Sequence, residues 1–409
     1  MKIILSHIFL LLIPFLVFGQ WTNVEPMPTP REGLAVAEID GKIFAIGGKN
    51  QPGYSALSVV EIYDPSRDEW TTGPSLINPR VFSAAAAHNG KIFVFGGRNS
   101  SSLVQDIEMY DPAVGNWVDV GNMMPKREGL SATTRGDSIY VIAGKMQMTY
   151  SSNTSIFDPV SMNWQNNMGN CPFGRAGHGA ALVGDDIYIM GGVSYGMISD
   201  VSSLAPSSWI TSLELPFALG NTSSASRGDS IFVIGGNTGT DATNSVLMYN
   251  TVGIGWMDFT PLNEARESHG SIMLGGRLYI IGGGREETSE RVYLSSVEVF
   301  DFSTNSVSGN SGDSRPTIYS MVNYPNPFSE STNISITSGI AKFDNLPIII
   351  YNMLGREVAR WEYPGWANGS LSLNWNGLDM NGNPLPSGVY FLKIASADLK
   401  QTQKISIVR

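Results

Sequence analysis

The chain has 409 residues, more than a single small domain needs, so two or more domains are expected. Its net charge of −10, with no basic run, excludes a surface built to hold nucleic-acid phosphates. The single cysteine, Cys171, excludes an internal disulfide and any metal site built on several thiolates.

Residues 1–19 have the pattern of a secretory signal peptide. Lys2 supplies a positive start, an apolar run follows, and the small residues Val17 and Gly19 precede Gln20 as in a cleavage site. An N-terminal membrane anchor is the alternative, although the run is short and contains Pro14. We therefore expect Sec export into the periplasm.

Residues 21–302 contain six copies of one pattern, with glycine pairs that recur every 44 to 49 residues. Each copy has a turn dipeptide, a five-residue apolar strand such as KIFAI (42–46) and then the pair. The glycines are Gly47, Gly48, Gly96, Gly97, Gly144, Gly191, Gly192, Gly235, Gly236, Gly282 and Gly283, with Ala143 before Gly144.

A tryptophan lies 26 or 27 residues before each glycine pair. These residues are Trp21, Trp70, Trp117, Trp164, Trp209 and Trp256. An aromatic residue precedes most of them by seven positions, as Tyr63 precedes Trp70. In the fourth copy, Ser202 stands at that position.

The glycine pairs, aromatic residues and tryptophans resemble the kelch repeat, in which each copy is one four-stranded blade of a β-propeller. The resemblance implies six blades over residues 20–302, each burying its faces against its neighbours. Trp21 has no blade before it, and Val307 stands where a tryptophan of blade six would fall. We expect the strand at Trp21 to complete blade six; the alternative is that residues around Val307 do so.

Residues 303–317 are mostly Ser, Thr, Asn and Gly and read as a linker. Several short strands over residues 318–409 then predict a small Ig-like antiparallel β-sandwich. The segments PNPF (325–328), WNG (375–377) and SGVY (387–390) resemble the C-terminal sorting domain of the type IX secretion system. This resemblance implies that residues 318–409 contact the secretion machinery and that the protein is secreted or held on the outer-membrane surface.

An arginine precedes the glycine pair by 16 residues in five copies, and a glutamate follows it in three. The residues are Arg31, Glu32, Arg80, Arg127, Glu128, Arg175, Arg266 and Glu267, whereas the fifth copy has Leu219. One interpretation is a ring at the channel mouth that binds a polar ligand. The other is that the arginines tie neighbouring blades together through backbone carbonyls and glutamates.

The sequence contains no catalytic triad and no metal-ligand spacing, so no metal and no cofactor are expected. The RGDS segments at 135–138 and 227–230 fall on predicted hairpin turns. We expect a monomeric, non-catalytic binding module for a glycan or protein ligand. The alternative is a sugar-modifying enzyme similar to the kelch sialic-acid epimerases, with Arg and Glu at the channel mouth.

Overall fold

The computed structural model describes residues 20–165, 169–205, 207–211, 214–251, 255–302, 318–324, 326, 328–338, 342–343, 346–353, 355–363, 366–367, 370–395 and 400–409. The expected signal peptide (1–19) and linker (303–317) lie outside these residues. The described chain consists of strands and turns, and it contains no helix suited in length and apolarity to a membrane crossing.

The first strand is β1 (Thr22–Val24), and five four-stranded antiparallel sheets follow, each a simple meander. Blade one contains β2 (Ala35–Ile39), β3 (Lys42–Ile46), β4 (Val60–Asp64) and β5 (Glu69–Thr72). Blade two contains β6 (Ala84–His88), β7 (Lys91–Phe95), β8 (Asp106–Asp111) and β9 (Asn116–Asn122). Blade three contains β10 (Ser131–Arg135), β11 (Ser138–Ile142), β12 (Thr154–Asp158) and β13 (Asn163–Gln165).

Blade four contains β14 (Gly179–Val183), β15 (Asp186–Met190), β16 (Val201–Ala205) and β17 (Ser208–Thr211). Blade five contains β18 (Ser223–Arg227), β19 (Ser230–Ile234), β20 (Val246–Asn250) and β21 (Trp256–Asp258). Blade six contains β22 (Gly270–Leu274) and β23 (Arg277–Ile281), then a hairpin of β24 (Gly284–Glu287) and β25 (Glu290–Tyr293), and finally β26 (Val297–Asp301).

The ring closes because β1 is the outer strand of blade six. Its residues pair antiparallel with β26, from Thr22 opposite Val299 to Val24 opposite Val297. The Trp21 ring lies 5.4 Å from that of Phe300, and the indole N–H donates to the Thr260 carbonyl at 2.8 Å. The first strand of every blade contacts that of the next, and β22 returns to β2. The fold class is therefore the predicted six-bladed β-propeller.

The glycine pair makes the contact between neighbouring blades. Gly47 and Gly48 have φ of 62° and 101°, and a Cβ on Gly47 would collide with the Arg80 carbonyl of blade two. The amide of the second glycine donates to the backbone carbonyl of the next blade, from Gly48 to Arg80 (2.9 Å) round to Gly283 with Arg31 (2.9 Å). Each blade needs one such approach, which accounts for the recurrence of the pair.

A second set of backbone hydrogen bonds joins the connecting segments of neighbouring blades in a ring. Gly129 donates to Phe82 at 2.8 Å, Phe82 to Gly33 at 2.8 Å, and Gly33 to Ser268 at 2.7 Å. All of these residues have positive φ, including the bulky Phe82 at 57°. The ring holds the starts of the inner strands at fixed spacing.

The expectation for blade four needs a correction. Trp209 pairs with Leu204, five residues earlier, whereas Trp70 pairs with Tyr63, seven residues earlier. The turn between β16 and β17 is two residues shorter than its counterparts, so Leu204, not Ser202, holds the aromatic position. Ser202 instead lies buried beside Asp200.

The C-terminal domain is a β-sandwich. One sheet contains β27 (Ile318–Tyr324), β28 (Thr332–Ser338) and β33 (Ser370–Trp375). The other contains β31 (Glu357–Tyr363), β30 (Leu346–Asn352), β34 (Gly388–Ala395) and β35 (Lys400–Ile407), and β29 (Lys342–Phe343) pairs with β32 (Trp366–Ala367). Trp375 is buried between the sheets against Phe328 and Tyr390.

Candidate functional site

The two ends of the propeller differ in chemistry. We call the end that carries the glycine pairs the loop face; its segments span residues 47–59, 96–105, 143–153, 191–200, 235–245 and 282–296. The opposite end, the turn face, carries the tight hairpins between the first two strands of each blade. The connections between blades also reach the loop face, so side chains from two sources meet there.

The five predicted arginines are completely buried. Arg31 donates to Glu61 at 2.5 Å and to the Ala45 carbonyl at 3.0 Å. Equivalent ion pairs join Arg80 to Glu108, Arg175 to Asp200 and Arg266 to Glu298. These guanidiniums face the interior, and their contacts correspond to the architectural interpretation. The backbone carbonyl of each arginine accepts a hydrogen bond from the preceding blade, and the guanidinium binds groups of the arginine's own blade.

Arg127 differs from the other four because it has no carboxylate partner among the described residues. Its guanidinium donates to the Asn153 carbonyl at 3.1 Å and to the Ser155 hydroxyl at 3.2 Å. Burial lowers the pKa of Arg127 to about 10. The group therefore stays charged at neutral pH and is a buried cation without an ion pair to any residue that the structure describes.

The three predicted glutamates are buried, each in an ion pair. Glu32 contacts Lys49 at 3.4 Å, and Glu128 accepts from Arg98 at 2.9 Å. Glu267 accepts from Arg291 at 2.7 Å. A short backbone bridge also pairs each glutamate with the residue after the glycine pair, Glu32 with Lys49, Glu128 with Lys145 and Glu267 with Gly284.

Arg291 joins the two blades at the closure of the ring. It projects from the hairpin of blade six and donates through Nε to Glu32 of blade one at 2.9 Å while it also binds Glu267. Burial lowers the pKa of Arg291, but the hydrogen bonds and charges of Glu32 and Glu267 outweigh it, and the net pKa is raised. Blades six and one are thus joined on the loop face by Arg291, in addition to the pairing of β1 with β26 at the outer edge of blade six.

The sequence analysis missed a row of cations at the mouth. The residue after the glycine pair is Lys49, Arg98 and Lys145 in blades one to three, but Val193, Asn237 and Gly284 in blades four to six. Each cation lies over an aromatic ring, at 5.9 Å for Lys49 and Phe82, 4.6 Å for Arg98 and Tyr54, and 5.8 Å for Lys145 and Tyr150. Aligning the position after each glycine pair would have revealed the cations, though not their aromatic partners.

The other polar candidates have structural contacts. His178 and His269 are buried, and their Nε2 atoms lie 2.9 Å and 2.7 Å from the hydroxyls of Ser131 and Ser223. Burial lowers the pKa of each to about 3. Within the described residues, no group of three His, Cys, Asp or Glu side chains could hold a metal ion. Arg135 of the first RGDS segment stacks on Tyr140 and bonds its hydroxyl at 2.6 Å.

Comparisons with known proteins agree with these observations. Residues 15–192 match the KLHDC2/KLHL20/DRC7 Kelch-repeats domain, residues 265–308 match the Kelch motif, and residues 322–408 match the Secretion system C-terminal sorting domain. The chain is therefore a kelch-repeat propeller with a type IX sorting domain. This domain directs it to secretion or to the outer-membrane surface.

Two curated relatives match parts of the chain. Kelch-like protein 23 of Mus musculus is 32% identical over 24% of this chain and 19% of its own length. Kelch-like protein 21 of Danio rerio is 36% identical over 19% of this chain and 13% of its own length. The chain thus spans less than a fifth of the length of each relative.

Proposed function

We propose that the exported propeller is a non-catalytic binding module that holds a glycan or protein ligand on its loop face. The observation that carries the proposal is the uneven loop face itself. Blades one to three present Lys49, Arg98 and Lys145 over aromatic rings, and blade four presents Tyr195, which is 89% exposed. A face that only stabilised the ring would not need side chains that differ from blade to blade.

The loops are built to present these groups rigidly. Lys49, Arg98 and Lys145 each form a second backbone bridge inside their own loop, to Ala56, Leu103 and Tyr150. Such preorganised loops lose little conformational entropy when a ligand binds. Their exposed residues include many hydroxyls and amides, which suit a polar ligand.

The enzyme alternative has less support. A sugar-modifying enzyme would need an acid or base free to exchange protons at the mouth. Glu32, Glu128 and Glu267 are all engaged by cations. His178 and His269 are buried and bonded to serines.

We also propose that residues 318–409 form the unit that the secretion machinery recognises, that residues 303–317 link it to the propeller, and that the chain is a monomer. Sedimentation of the purified chain tests the last point. A dimer at micromolar concentration would contradict it.

Glycan and protein arrays probed with the full chain test the binding function. We expect a ligand whose binding changes in Glu32→Gln, Glu128→Gln and Glu267→Gln, since each change releases a cation that the glutamate holds in place and removes one negative charge. Asp137→Asn on the turn face is the control. If none of the three changes alters binding, the channel mouth is not the ligand site. Chemical turnover of the captured glycan would favour the enzyme.

A further inference from the structure

We propose that the loop face of blades one to four binds an acidic polysaccharide, one whose sugar units carry carboxylates, with Lys145, Tyr150 and Tyr195 as its principal subsite. This inference rests on the proposed binding function and names the ligand class. It commits to a glycan; an acidic peptide is treated as a competing outcome of the test.

Charge is the first argument. The chain is acidic overall, yet Lys145 and the buried Arg127 of blade three have no carboxylate partner in the described structure. The two are neighbours, since Arg127 packs beneath Gly144, the residue before Lys145. A buried cation that is not neutralised adds a positive potential to the surface above it. An anionic group at Lys145 would be stabilised by the charges of Lys145 and Arg127.

The aromatic side chains give the second argument. Tyr150 and Tyr195 meet edge to face, with ring centroids 5.8 Å apart, although they come from different blades. Tyr195 is 89% exposed, so its ring faces solvent beside Lys145 and Tyr150. A tyrosine offers an apolar face for the C–H groups of a sugar ring and a hydroxyl for hydrogen bonding.

The repetition of the cations suits a polymeric anion. Lys49, Arg98 and Lys145 occupy the same repeat position in three successive blades; Lys49 and Arg98 are paired with Glu32 and Glu128, whereas Lys145 has no carboxylate partner in the described structure. Contacts join neighbouring blades along the row: Tyr54 of blade one lies against Arg98 of blade two, Arg98 donates to Glu128 of blade three, and Tyr150 of blade three lies against Tyr195 of blade four. A polymer with regularly repeated carboxylates matches such a row.

The limited apolar surface argues against a protein ligand at this place. A stable protein interface needs a buried apolar centre with several large side chains. Tyr195 and Met148 are the strongly exposed large apolar residues of the described loops in blades three and four, and around them lie Gln147, Thr149 and Ser194. Hydroxyls and amides of this kind suit the hydroxyl groups of a sugar.

The test is calorimetric titration of the full chain with a short oligogalacturonate. The comparison ligands are a neutral oligogalactan and a polyglutamate peptide of similar charge. We expect binding of the oligogalacturonate, weaker at high salt, and little binding of the other two. No oligogalacturonate binding, or equal binding of polyglutamate, would overturn the inference.

Variants locate the site. Lys145→Gln should weaken oligogalacturonate binding about tenfold, as expected for a lost charge-assisted hydrogen bond. Tyr195→Ala should weaken it about threefold, and Tyr195→Phe, which keeps the ring, should do so less. Lys91→Gln removes a lysine paired with Asp111 on the turn face and should have no effect. Unchanged binding in Lys145→Gln and Tyr195→Ala would place the glycan elsewhere and overturn the assignment.

The two proposals fail separately. If an array identifies a protein ligand that the glutamate variants weaken, while oligogalacturonate does not bind, the binding function stands and the acidic glycan is excluded.

Discussion

Leu219 and Leu247 occupy, in blade five, the two positions that hold Arg31 and Glu61 in blade one. Both leucines are buried in one apolar cluster between blades four and five. The blade that lacks the arginine therefore also lacks the glutamate. In blade five an apolar pair therefore takes the place of the ion pair, whereas blade three keeps Arg127 and has Ser155 in place of the glutamate.

This relationship predicts a strong coupling between Arg80 and Glu108 of blade two, both of which are completely buried. Each single change, Arg80→Leu or Glu108→Leu, should lower the free energy of unfolding by about 3–5 kcal/mol, because the remaining charge stays buried without its partner.

The double variant should lose clearly less than the sum of the single losses, with a coupling of about 2 kcal/mol or more in urea unfolding. Additive losses would show that the arginine and glutamate do not act as a unit.

Closure of the ring makes Trp21 important for stability, although it lies at the start of the propeller. It is buried against Phe300 and is bonded to Thr260. Trp21→Ala should lower the free energy of unfolding by about 3–5 kcal/mol, measured by tryptophan fluorescence in urea. Ile77→Ala, at an exposed site, is the control. A loss below about 1 kcal/mol would mean that the closing strand contributes little.

The buried histidines predict acid sensitivity. His178 and His269 have pKa values lowered to about 3 by burial, whereas an unfolded histidine titrates near pH 6.5. Below pH 6.5 the unfolded state binds protons that the folded state does not, so stability falls from about pH 6.5 towards pH 3.

The expected slope is about 1.4 kcal/mol per pH unit for each histidine. Urea unfolding of His178→Gln and His269→Gln between pH 4 and pH 7 checks this, since each variant should have a shallower slope than the unchanged chain. Parallel slopes would contradict the assignment.

Export should depend on the folded sandwich of the C-terminal domain. Trp375→Ala removes the largest side chain of its core and should destabilise it by about 3–5 kcal/mol. We expect the variant to accumulate in the periplasm with an intact propeller, as measured by cell fractionation and limited proteolysis. Met353→Ala, at an exposed position, should be exported normally; equal export of both variants would show that the folded core is not required.

The sequence predicts the number of blades well because each blade repeats the same close backbone approach, which glycine permits at Gly47 and at its equivalents other than Ala143. The sequence predicts less well whether an arginine is buried, because the residue type alone does not distinguish an arginine on the surface from one in the core. The partners Glu61, Glu108 and Glu298 were nevertheless readable, each two residues before an aromatic residue.

Other features escaped for physical reasons. Leu204, rather than Ser202, holds the aromatic position of blade four because the turn before Trp209 is short, and the repeat pattern alone does not reveal the length of that turn. The cation row escaped because it covers only three blades, and a search for features common to all copies passes over it. Arg291 lies in a hairpin that only blade six contains.

The most direct test of the central claim, that the loop face binds the ligand, blocks each face in turn. Cys171 is buried, so a cysteine introduced at an exposed site can be labelled selectively with a bulky maleimide–polyethylene glycol. Labelled Ser102→Cys on the loop face should abolish array binding, whereas labelled Asp137→Cys on the turn face should leave it intact. Binding that survives the first label and is lost with the second would contradict the account.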